Sequence, residues 1–493
     1  MRKDFDAIVI GAGLLGCFTA RALSRYRIRV AVLEAREDVC TGISKANTAI
    51  VYDGHDTKPG TLKTEMCVRA NRGFNALCRD LGVRFSRCGA LTVCFGERGA
   101  SVLRKKFEQG QENGVEGLEL LTPQQVLALE PDINPEVYLG LWSPNTGTVN
   151  PWELCTAAYE NALHNGVDFF FDHAVDGISP CRDGYCIRCG DKEFYSKGII
   201  NCAGLFSDEV REMLCAPTVR IYPQTADYLV TDTGTDFAPR HIIFHEPEHK
   251  GKGLTLVPTL DGNLLIGPSE QPADNKLDFS STPQGLSFLR ELCPQLFPKL
   301  EPGAVIRNFS SLRPNPFYVQ ADGDTYSRDG RSISSFTILQ EASHPAFISL
   351  LGIKTPGLSC AWELGCHVAQ RLAESIHCRE ENPNFDPHRP SPIRLEELSE
   401  TQRAALIEKD PAYGRILCRC RGISEGEVLD AIRRGATTLD GVKRRVGSSM
   451  GRCQGSYCSD KIMELLARER GISVYELCKD GKGRVLGGSR YEV

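Results

Sequence analysis

The stretch FDAIVIGAGLLG at residues 5–16 decides the fold of the N-terminal part of the chain. It begins with a mostly apolar run of the kind found in buried strands, and three glycines follow at once. Gly11 permits a tight turn, Gly13 lets the backbone approach a pyrophosphate, and Gly16 allows the next helix to pack on the strand. The N-terminus of that helix faces the phosphates. The sequence therefore predicts the first strand, turn and helix of a dinucleotide-binding fold.

A carboxylate follows where such a fold binds ribose. The apolar segment VAVL at residues 30–33 ends in Glu34, eighteen positions after Gly16. A carboxylate at the end of the second strand can accept hydrogen bonds from both ribose hydroxyls. The motif suits FAD and NAD alike, so the choice between them depends on the rest of the chain.

The residues after Glu34 resemble those of the D-amino-acid-oxidase-like superfamily of flavoenzymes. Small and polar residues fill positions 41–51 (TGISKANTAIV). In that superfamily the corresponding stretch lines the pyrophosphate and isoalloxazine of FAD, which implies that Ser44 and Asn47 contact the cofactor. The segment KPGTLK at residues 58–63 is similar to one shared by L-2-hydroxyglutarate oxidases and bacterial glycerol-3-phosphate-dehydrogenase-like proteins.

Three later segments extend this resemblance in the order that the superfamily shows. They are HAV at residues 173–175, IINCAG at 199–204 and FISLLGIKTPGL at 347–358. In such proteins the first meets adenine and the other two pass beside the flavin. The resemblance thus implies further FAD contacts from Val175, Ala203, Gly204, Gly352 and Ile353.

The resemblance covers most of residues 1–380 and implies an α/β fold. We expect a Rossmann-like FAD-binding domain at about 1–73, 141–217 and 314–380, with an inserted antiparallel-sheet substrate domain at about 74–140 and 218–313. Closely spaced prolines then predict an extended linker at 381–412. Helix-start signals predict a small, mostly helical domain at 413–493.

The superfamily places its substrate between the flavin ring and the inserted sheet, and the resemblance implies two cations there. Arg313 occupies the position of an arginine that contacts substrate in the glycerol-3-phosphate and 2-hydroxyacid members. Lys354 stands where glycerol-3-phosphate dehydrogenases carry a lysine. A guanidinium offers a planar fork to a carboxylate or a phosphate. We therefore expect a small anionic substrate.

Two positions bear on the catalytic base. Tyr52 stands where the hydroxyglutarate-like members carry a histidine, and His55 lies three residues further on. Either could take the hydroxyl proton of the substrate while the carbon-bound hydrogen leaves as hydride to the flavin. A lone histidine in a polar loop is, however, more often only solvated. The segment PQTADY at residues 223–228 also lacks a basic residue that relatives often show, which leaves the substrate's identity open.

Four cysteines near the C-terminus form two pairs. Cys418 and Cys420 are one residue apart, and Cys453 and Cys458 follow after 32 intervening residues. Four thiolates suit either a [2Fe–2S] cluster or zinc. A zinc site would more often show two Cys-x-x-Cys knuckles, so the spacing favours iron. Cys458 also precedes a predicted helix, whose free amides stabilise a thiolate.

Residues 416–470 resemble the bacterioferritin-associated-ferredoxin-like [2Fe–2S] domain, in the version fused to glycerol-3-phosphate-dehydrogenase-like proteins. The resemblance implies a protein electron acceptor, one form of which is a second flavoprotein subunit, and therefore an oligomer or complex. Basic residues such as Arg419 and Arg452 would offset an anionic cluster or receive an acidic partner, although a solvated basic face is the alternative. Cys478 lies beyond the motif. The implied cluster ligands are Cys418, Cys420, Cys453 and Cys458.

Composition excludes several classes of protein. The chain has 493 residues, a net charge of −5 and 21 cysteines. Interspersed charges argue against nucleic acid as a partner, and the apolar runs are shorter than the ~18 residues that a membrane span requires. The charged start runs directly into the first strand, unlike a signal peptide. Scattered cysteines in a chain of this size then favour reduced thiols and a cytoplasmic location.

The combined features predict an FAD-dependent dehydrogenase that oxidises a small anionic 2-hydroxy substrate. Glycerol-3-phosphate is the first choice, and electrons would pass through the [2Fe–2S] cluster to a partner protein. A dehydrogenase of L-2-hydroxyglutarate or of an amino acid is the enzymatic alternative. A zinc- or flavin-binding regulatory protein is the alternative outside enzymes.

Overall fold

The computed structural model describes residues 3–248, 253–300, 305–322, 325–481 and 483–486. The chain divides into two compact units, the first comprising Met1–Ala35 and Cys40–Pro387 and the second Arg36–Val39 and His388–Val493. Our expected boundaries leave residues 36–39 in the first domain, whereas the structure groups them with the C-terminal cysteines. The reason is a buried ion-pair group of Asp38 with Arg444 and Arg445, which forms only in the tertiary structure.

Strands and helices alternate through the first unit, and short helices dominate the second. The strands are β1 (Lys3–Ile10), β2 (Val30–Leu33), β3 (Ile50–Val51), β4 (Phe85–Ser86), β5 (Ala90–Cys94), β6 (Glu119–Leu121), β7 (Leu139–Ser143), β8 (Gly147–Val149), β9 (Asp168–Phe170), β10 (Gly177–Cys181), β11 (Gly184–Cys189), β12 (Lys192–Asn201), β13 (Val219–Thr231), β14 (Ile242–His245), β15 (Thr255–Pro258), β16 (Leu264–Ile266), β17 (Gln271–Pro272), β18 (Val305–Asp322), β19 (Thr325–Ser332), β20 (Thr337–Glu341), β21 (His344–Leu351), β22 (Ile416–Cys418) and β23 (Ile423–Ser424). The helices are α1 (Leu14–Leu23), α2 (Leu62–Leu81), α3 (Glu97–Glu112), α4 (Pro123–Leu129), α5 (Pro151–His164), α6 (Ser207–Glu212), α7 (Pro283–Leu296), α8 (Gly357–Ser375), α9 (Glu400–Lys409), α10 (Glu425–Arg433), α11 (Leu439–Val446) and α12 (Ser459–Arg470).

An eight-stranded sheet carries the nucleotide-binding part of the first unit. Its order is β10-β11-β12-β1-β2-β9, with β21 beside β12 and β20 beside β21. The strands β9, β2, β1, β12 and β21 run parallel to one another, and β10, β11 and β20 are antiparallel additions. All four residues of β2 are buried, as expected for a parallel strand covered on both faces. The predicted α/β fold with a Rossmann-like sheet is confirmed.

A ten-stranded sheet forms the second layer, in the order β19-β18-β13-β16-β15-β14-β5-β7-β6 with β17 beside β13. All its pairs are antiparallel except β14 with β5. The expected boundary between residues 313 and 314 needs correction, because it falls inside the continuous strand β18. That strand continues because it pairs with β13 along nearly the whole length of β13.

The second unit has its own apolar core. The hairpin of β22 and β23 leads into α10, whose N-terminus carries a capping box between Ser424 and Glu427. Apolar residues of α10, α11 and α12 then pack together with the buried thiols of Cys418 and Cys458. Within the expected linker, residues 385–394 form neither helix nor strand, and α9 follows. Local capping and a small core thus hold the cysteine-bearing loops.

Candidate active site and cysteine centre

The glycine turn after β1 brings three parts of the chain together. Gly11 has a φ of +100°, and a Cβ at this position would lie 2.7 Å from the carbonyl oxygen of Cys202 at the end of β12. A Cβ at Gly16 would collide with the carbonyl oxygen of Gly11. Larger residues would therefore push apart β12, the turn and α1. The turn has the close approach that a pyrophosphate-binding loop requires.

Predicted FAD-binding residues surround this turn. The Glu34 carboxylate, almost fully buried, accepts a hydrogen bond from the Ala12 amide at 2.6 Å. Ser44 Oγ accepts one from the Leu14 amide at 3.0 Å, at the start of α1. The Asn47 side chain donates to the Ser44 carbonyl at 2.9 Å. A hydroxyl and a carboxylate thus stand at the helix N-terminus, where the phosphates and ribose of a dinucleotide bind.

The later predicted residues lie along the same sheet. Val175 and Ala203 pack against one apolar cluster under β1, β2 and β12. A Cβ at Gly204 would meet nothing within 4 Å, so this residue faces open space. Gly352 has a φ of +60°, and a Cβ there would lie 2.6 Å from Cδ of Pro316 in β18. Ile353 joins a small cluster that also contains Tyr52. The glycine turn, the open cradle and these residues together fit FAD.

Three cationic side chains lie close enough to act on one another, and one of them, Arg313, also acts on Tyr52. They are Arg313 on β18, Lys354 after β21 and Lys63 in the first turn of α2. Burial, the charge of Lys63 and the charge of Arg313 lower the pKa of Lys354. Burial and the charge of Arg313 likewise lower the pKa of Lys63, although Asp56 opposes this shift. In the part of the chain that the structure describes, none of the three cations forms an ion pair with a carboxylate.

The sequence predicts Arg313 and Lys354 as site residues. It does not single out Lys63 or the residues that position Lys354. Gln224 of β13 lies directly opposite Arg313 of β18, so their side chains share one face of the sheet. Asn315 donates to Gln224 Oε1 at 3.0 Å and accepts from Lys354 Nζ at 2.9 Å. This chain of amides holds the Lys354 ammonium near Arg313. This chain of amides depends on the register of the two strands, which sequence spacing does not reveal.

Tyr52 lies beside this group of cations. Its ring stacks with Phe244 at 5.9 Å between centroids, and its backbone amide donates to Ser359 Oγ at 2.9 Å. Burial raises the pKa of Tyr52 well above its usual value, and Arg313 only partly opposes the shift. Burial also raises the pKa of nearby Tyr228 to about 12. Both phenols are therefore neutral hydrogen-bonding groups near neutral pH.

His55 is separate from the three cations. Its Nδ1 lies 2.7 Å from Asp53 Oδ1, and Ser143 Oγ donates to the other oxygen of Asp53. Burial acts to lower the pKa of His55, but Asp53 outweighs it and the pKa is raised. The other charges that act on His55 are those of Asp56 and Lys106, not those of Arg313 or Lys354. The structure thus groups Tyr52, Arg313 and Lys354 and places His55 in a buried ion pair.

The four predicted cysteine ligands form two contacting pairs in the second unit. The thiols of Cys420 and Cys453 are 3.4 Å apart, and those of Cys418 and Cys458 are hydrogen-bonded to each other. The hydrogen bond from Cys418 lowers the pKa of Cys458 to about 6. Among the described residues, no three Cys, His, Asp or Glu side chains converge on a single ion. Two pairs fit two irons better than one tetrahedral zinc.

A nucleotide fold joined to a centre of this kind defines a class, the oxidoreductases that combine a dinucleotide cofactor with a one-electron metal centre. Residues 6–371 match the family of FAD dependent oxidoreductases, and residues 416–468 match the BFD-like [2Fe-2S] binding domain. The chain belongs to the FAD-dependent oxidoreductase family. Its cofactors are FAD and a [2Fe–2S] cluster, which confirms both predicted cofactors and the predicted resemblance.

Relatives cover nearly the whole chain. A glycerol 3-phosphate dehydrogenase of Caloramator mitchellensis is 37% identical over 484 residues, which is 98% of this chain and 98% of the relative. The structure of an L-alpha-glycerophosphate oxidase from Mycoplasma pneumoniae with FAD bound covers 80% of this chain and 100% of its own, at 24% identity and a TM-score of 0.72. The structure of a glycerol-3-phosphate dehydrogenase from Bacillus halodurans with FAD covers 96% of this chain and 92% of its own, at 17% identity and a TM-score of 0.63. These two structures share the fold. Across the described residues, no helix is long and apolar enough to cross a membrane.

Proposed function

We propose that the chain oxidises glycerol-3-phosphate at the site of the three cations and delivers the electrons, through its [2Fe–2S] cluster, to a protein acceptor. The observation that carries the proposal is the group of Arg313, Lys354 and Lys63 without a carboxylate partner. Burial lowers the pKa values of both lysines, and the charge of Arg313 adds to this effect, although Asp56 opposes it at Lys63 and Glu270 opposes it at Lys354. An anion that binds among them removes this penalty. The full-length relative described as a glycerol 3-phosphate dehydrogenase supports the same substrate.

The shape of the charge favours a phosphate. A phosphate ester carries about two negative charges on one compact group near neutral pH, whereas the two carboxylates of 2-hydroxyglutarate are separated along a carbon chain. Arg313 would bind phosphate oxygens with its planar fork, and the two lysines would act as point charges. The amides of Asn315 and Gln224 would keep Lys354 in place.

The remaining residues of the site have roles in orientation. The glycine turn, Glu34 and Ser44 would hold FAD, which would supply the two-electron acceptor. Tyr52, with its raised pKa, would donate a hydrogen bond as a neutral phenol and would not act as the base. His55 receives no role in the chemistry here, because its side chain is buried beside Asp53 and the charges that act on it are not those of Arg313 or Lys354.

The substrate is tested by mixing the purified, FAD-loaded chain with candidate compounds in the absence of oxygen. We expect rapid bleaching of the flavin absorbance by glycerol-3-phosphate and not by glycerol, which lacks the phosphate. L-2-hydroxyglutarate and glycine complete the panel. Bleaching by one of these two compounds, with glycerol-3-phosphate inactive, would exclude the proposed substrate.

The electron path is tested with Cys453→Ser. Flavin reduction by glycerol-3-phosphate should keep its rate, while transfer to a protein acceptor such as cytochrome c should fall strongly, because one thiolate ligand of the cluster is lost. Cys478→Ser is the matched control, since Cys478 lies in the same unit outside the two thiol pairs. Equal acceptor reduction by both variants would refute the relay.

The same proposal includes a cytoplasmic location. All 21 cysteines are described, and none of them forms a disulfide. Free thiols persist in reducing compartments. Fractionation of cells that express the chain would test the location, and co-purification would test the expected complex with an acceptor.

A further inference from the structure

The two thiol pairs of the second unit differ in exposure. Cys418 and Cys458 are 1% and 0% exposed and lie in the apolar core of the unit. Cys420 is exposed and Cys453 is partly exposed. A Cβ at Gly451 would collide with Cβ of Cys420, so the two outer loops pack closely there. The Cys420–Cys453 pair is therefore the side of the centre from which an electron has the shortest path to solvent.

An exposed aromatic ring beside this pair holds two cations. The Tyr457 side chain is 40% exposed. The Arg419 guanidinium lies 4.6 Å from the ring centroid and Lys461 Nζ lies 5.2 Å from it. Arg419 comes between Cys418 and Cys420, and Tyr457 directly precedes Cys458. The cation–π contacts thus fix two positive charges close to the cysteine loops.

These cations differ from other arginines of the same unit. Arg415 is paired with Glu425 at 2.7 Å, and Arg434 is paired with Asp430 at 2.8 Å. Across the described residues, neither Arg419 nor Lys461 has a carboxylate within ion-pair distance. Arg419 and Lys461 therefore place two unpaired positive charges beside an anionic centre, on a chain whose net charge is −5. Such a local field attracts an acidic partner to one face.

We propose that Arg419, Tyr457 and Lys461 form the docking surface for an acidic electron-accepting protein, and that the electron leaves past Cys420 and Cys453. The inference deepens the proposed function, because it needs a reduced cluster but no particular substrate. The acceptor gains one electron that the chain loses, and no bond is made or broken. The three residues act on encounter and orientation, since none of them is a cluster ligand.

The test uses the full-length holoprotein reduced with dithionite under anoxic conditions, so that its outcome is independent of the substrate. Plastocyanin serves as the acidic acceptor and cytochrome c as the basic one. For Arg419→Glu combined with Lys461→Glu, we expect about a tenfold slower reduction of plastocyanin at low salt and a faster reduction of cytochrome c. Added salt should reduce both differences.

A second readout does not depend on electron transfer. Cadmium-substituted plastocyanin is acidic and redox-inert, and its affinity for the double variant, measured by calorimetry, should fall by a similar factor. Lys409→Glu combined with Arg433→Glu is the control, because it changes net charge equally at the ends of α9 and α10. Arg419→Gln combined with Lys461→Gln gives a milder change in the same direction. Equal plastocyanin rates and affinities in the control and test variants would overturn the docking surface, whereas failure of glycerol-3-phosphate to bleach the flavin would overturn only the proposed substrate.

Discussion

Two groups of cations in this molecule differ in whether a carboxylate of the protein forms an ion pair with them. In the first unit, Arg313, Lys354 and Lys63 share a partly buried site without an ion-paired carboxylate. In the second unit, Arg444 and Arg445 share one buried acid, Asp38, and the three side chains are only 1–4% exposed. Arg444 also pairs with the more exposed Asp480 at 3.5 Å. Arg445 binds Asp38 through two hydrogen bonds of 2.7 and 2.8 Å, and Arg444 adds one of 3.1 Å.

The difference separates cations that hold the structure from cations that await a ligand. Burial acts to raise the pKa of Asp38, but Arg445 and Arg444 outweigh it and the pKa is lowered. The charges of the second group are thus satisfied within the protein. Burial is the main cause that lowers the pKa values of both lysines in the first group, Arg313 adds to it, and Asp56 and Glu270 oppose it only in part. Removal of a charge should therefore destabilise the second group and relieve the first.

The largest expected effect is that of Asp38→Ala. It would remove the buried carboxylate that both guanidiniums share, leaving Arg444 its longer ion pair with Asp480, and loss of one partner of a buried ion pair typically costs about 3–5 kcal/mol. We expect a large fall in the unfolding temperature of the second unit and loss of its iron–sulfur absorbance on mild heating. Asp430→Ala, which removes a more exposed ion pair with Arg434, should cost no more than about 1 kcal/mol. Similar thermal shifts for the two variants would show that the buried group does not hold the unit together.

Sequence reasoning succeeded where chemistry is local and failed where folding brings distant residues together. The glycine turn at Gly11 and the four cysteines are identified by short spacings, because each spacing is itself the geometry that the cofactor requires. Lys63 belongs to a family-like segment, but its proximity to Arg313 depends on how α2 packs. Gln224 depends on the register of β13 against β18. Asp38 follows the nucleotide motif in sequence, yet its partners come more than 400 residues later.

An intermediate effect is expected for Lys63→Met, which removes one cation of the first group. Loss of a charged contact to phosphate should lower kcat/KM for glycerol-3-phosphate about 10- to 100-fold, equivalent to about 1.4–2.7 kcal/mol. Unlike Asp38→Ala, this change should not lower thermal stability, because burial disfavours the Lys63 charge and no carboxylate forms an ion pair with it among the described residues. Lys58→Met, an exposed lysine of the same segment, is the control and should leave the kinetics unchanged. A loss of thermal stability without a change in kcat/KM would show that Lys63 stabilises the structure and does not bind the substrate.

The smallest expected effect is a shift in the pH dependence of substrate binding. The lowered pKa values of Lys63 and Lys354 mean that these lysines lose their protons below the usual pKa of about 10.4, so affinity for glycerol-3-phosphate should fall within that alkaline window. A guanidinium keeps its charge throughout the window. Near the upper end of this alkaline range, the Lys63→Arg variant should therefore bind substrate a few-fold more tightly than the native chain. Below about pH 6 the affinity of both proteins should fall, because the phosphate ester gains a proton there. Titration of the flavin spectrum with substrate across this range would measure both limbs. The Lys58→Arg variant is the control. If both variants show the same fall of substrate affinity at alkaline pH, the charge of Lys63 does not act on the bound anion. The contrast between the two groups of cations would then depend on Arg313 and Lys354 alone.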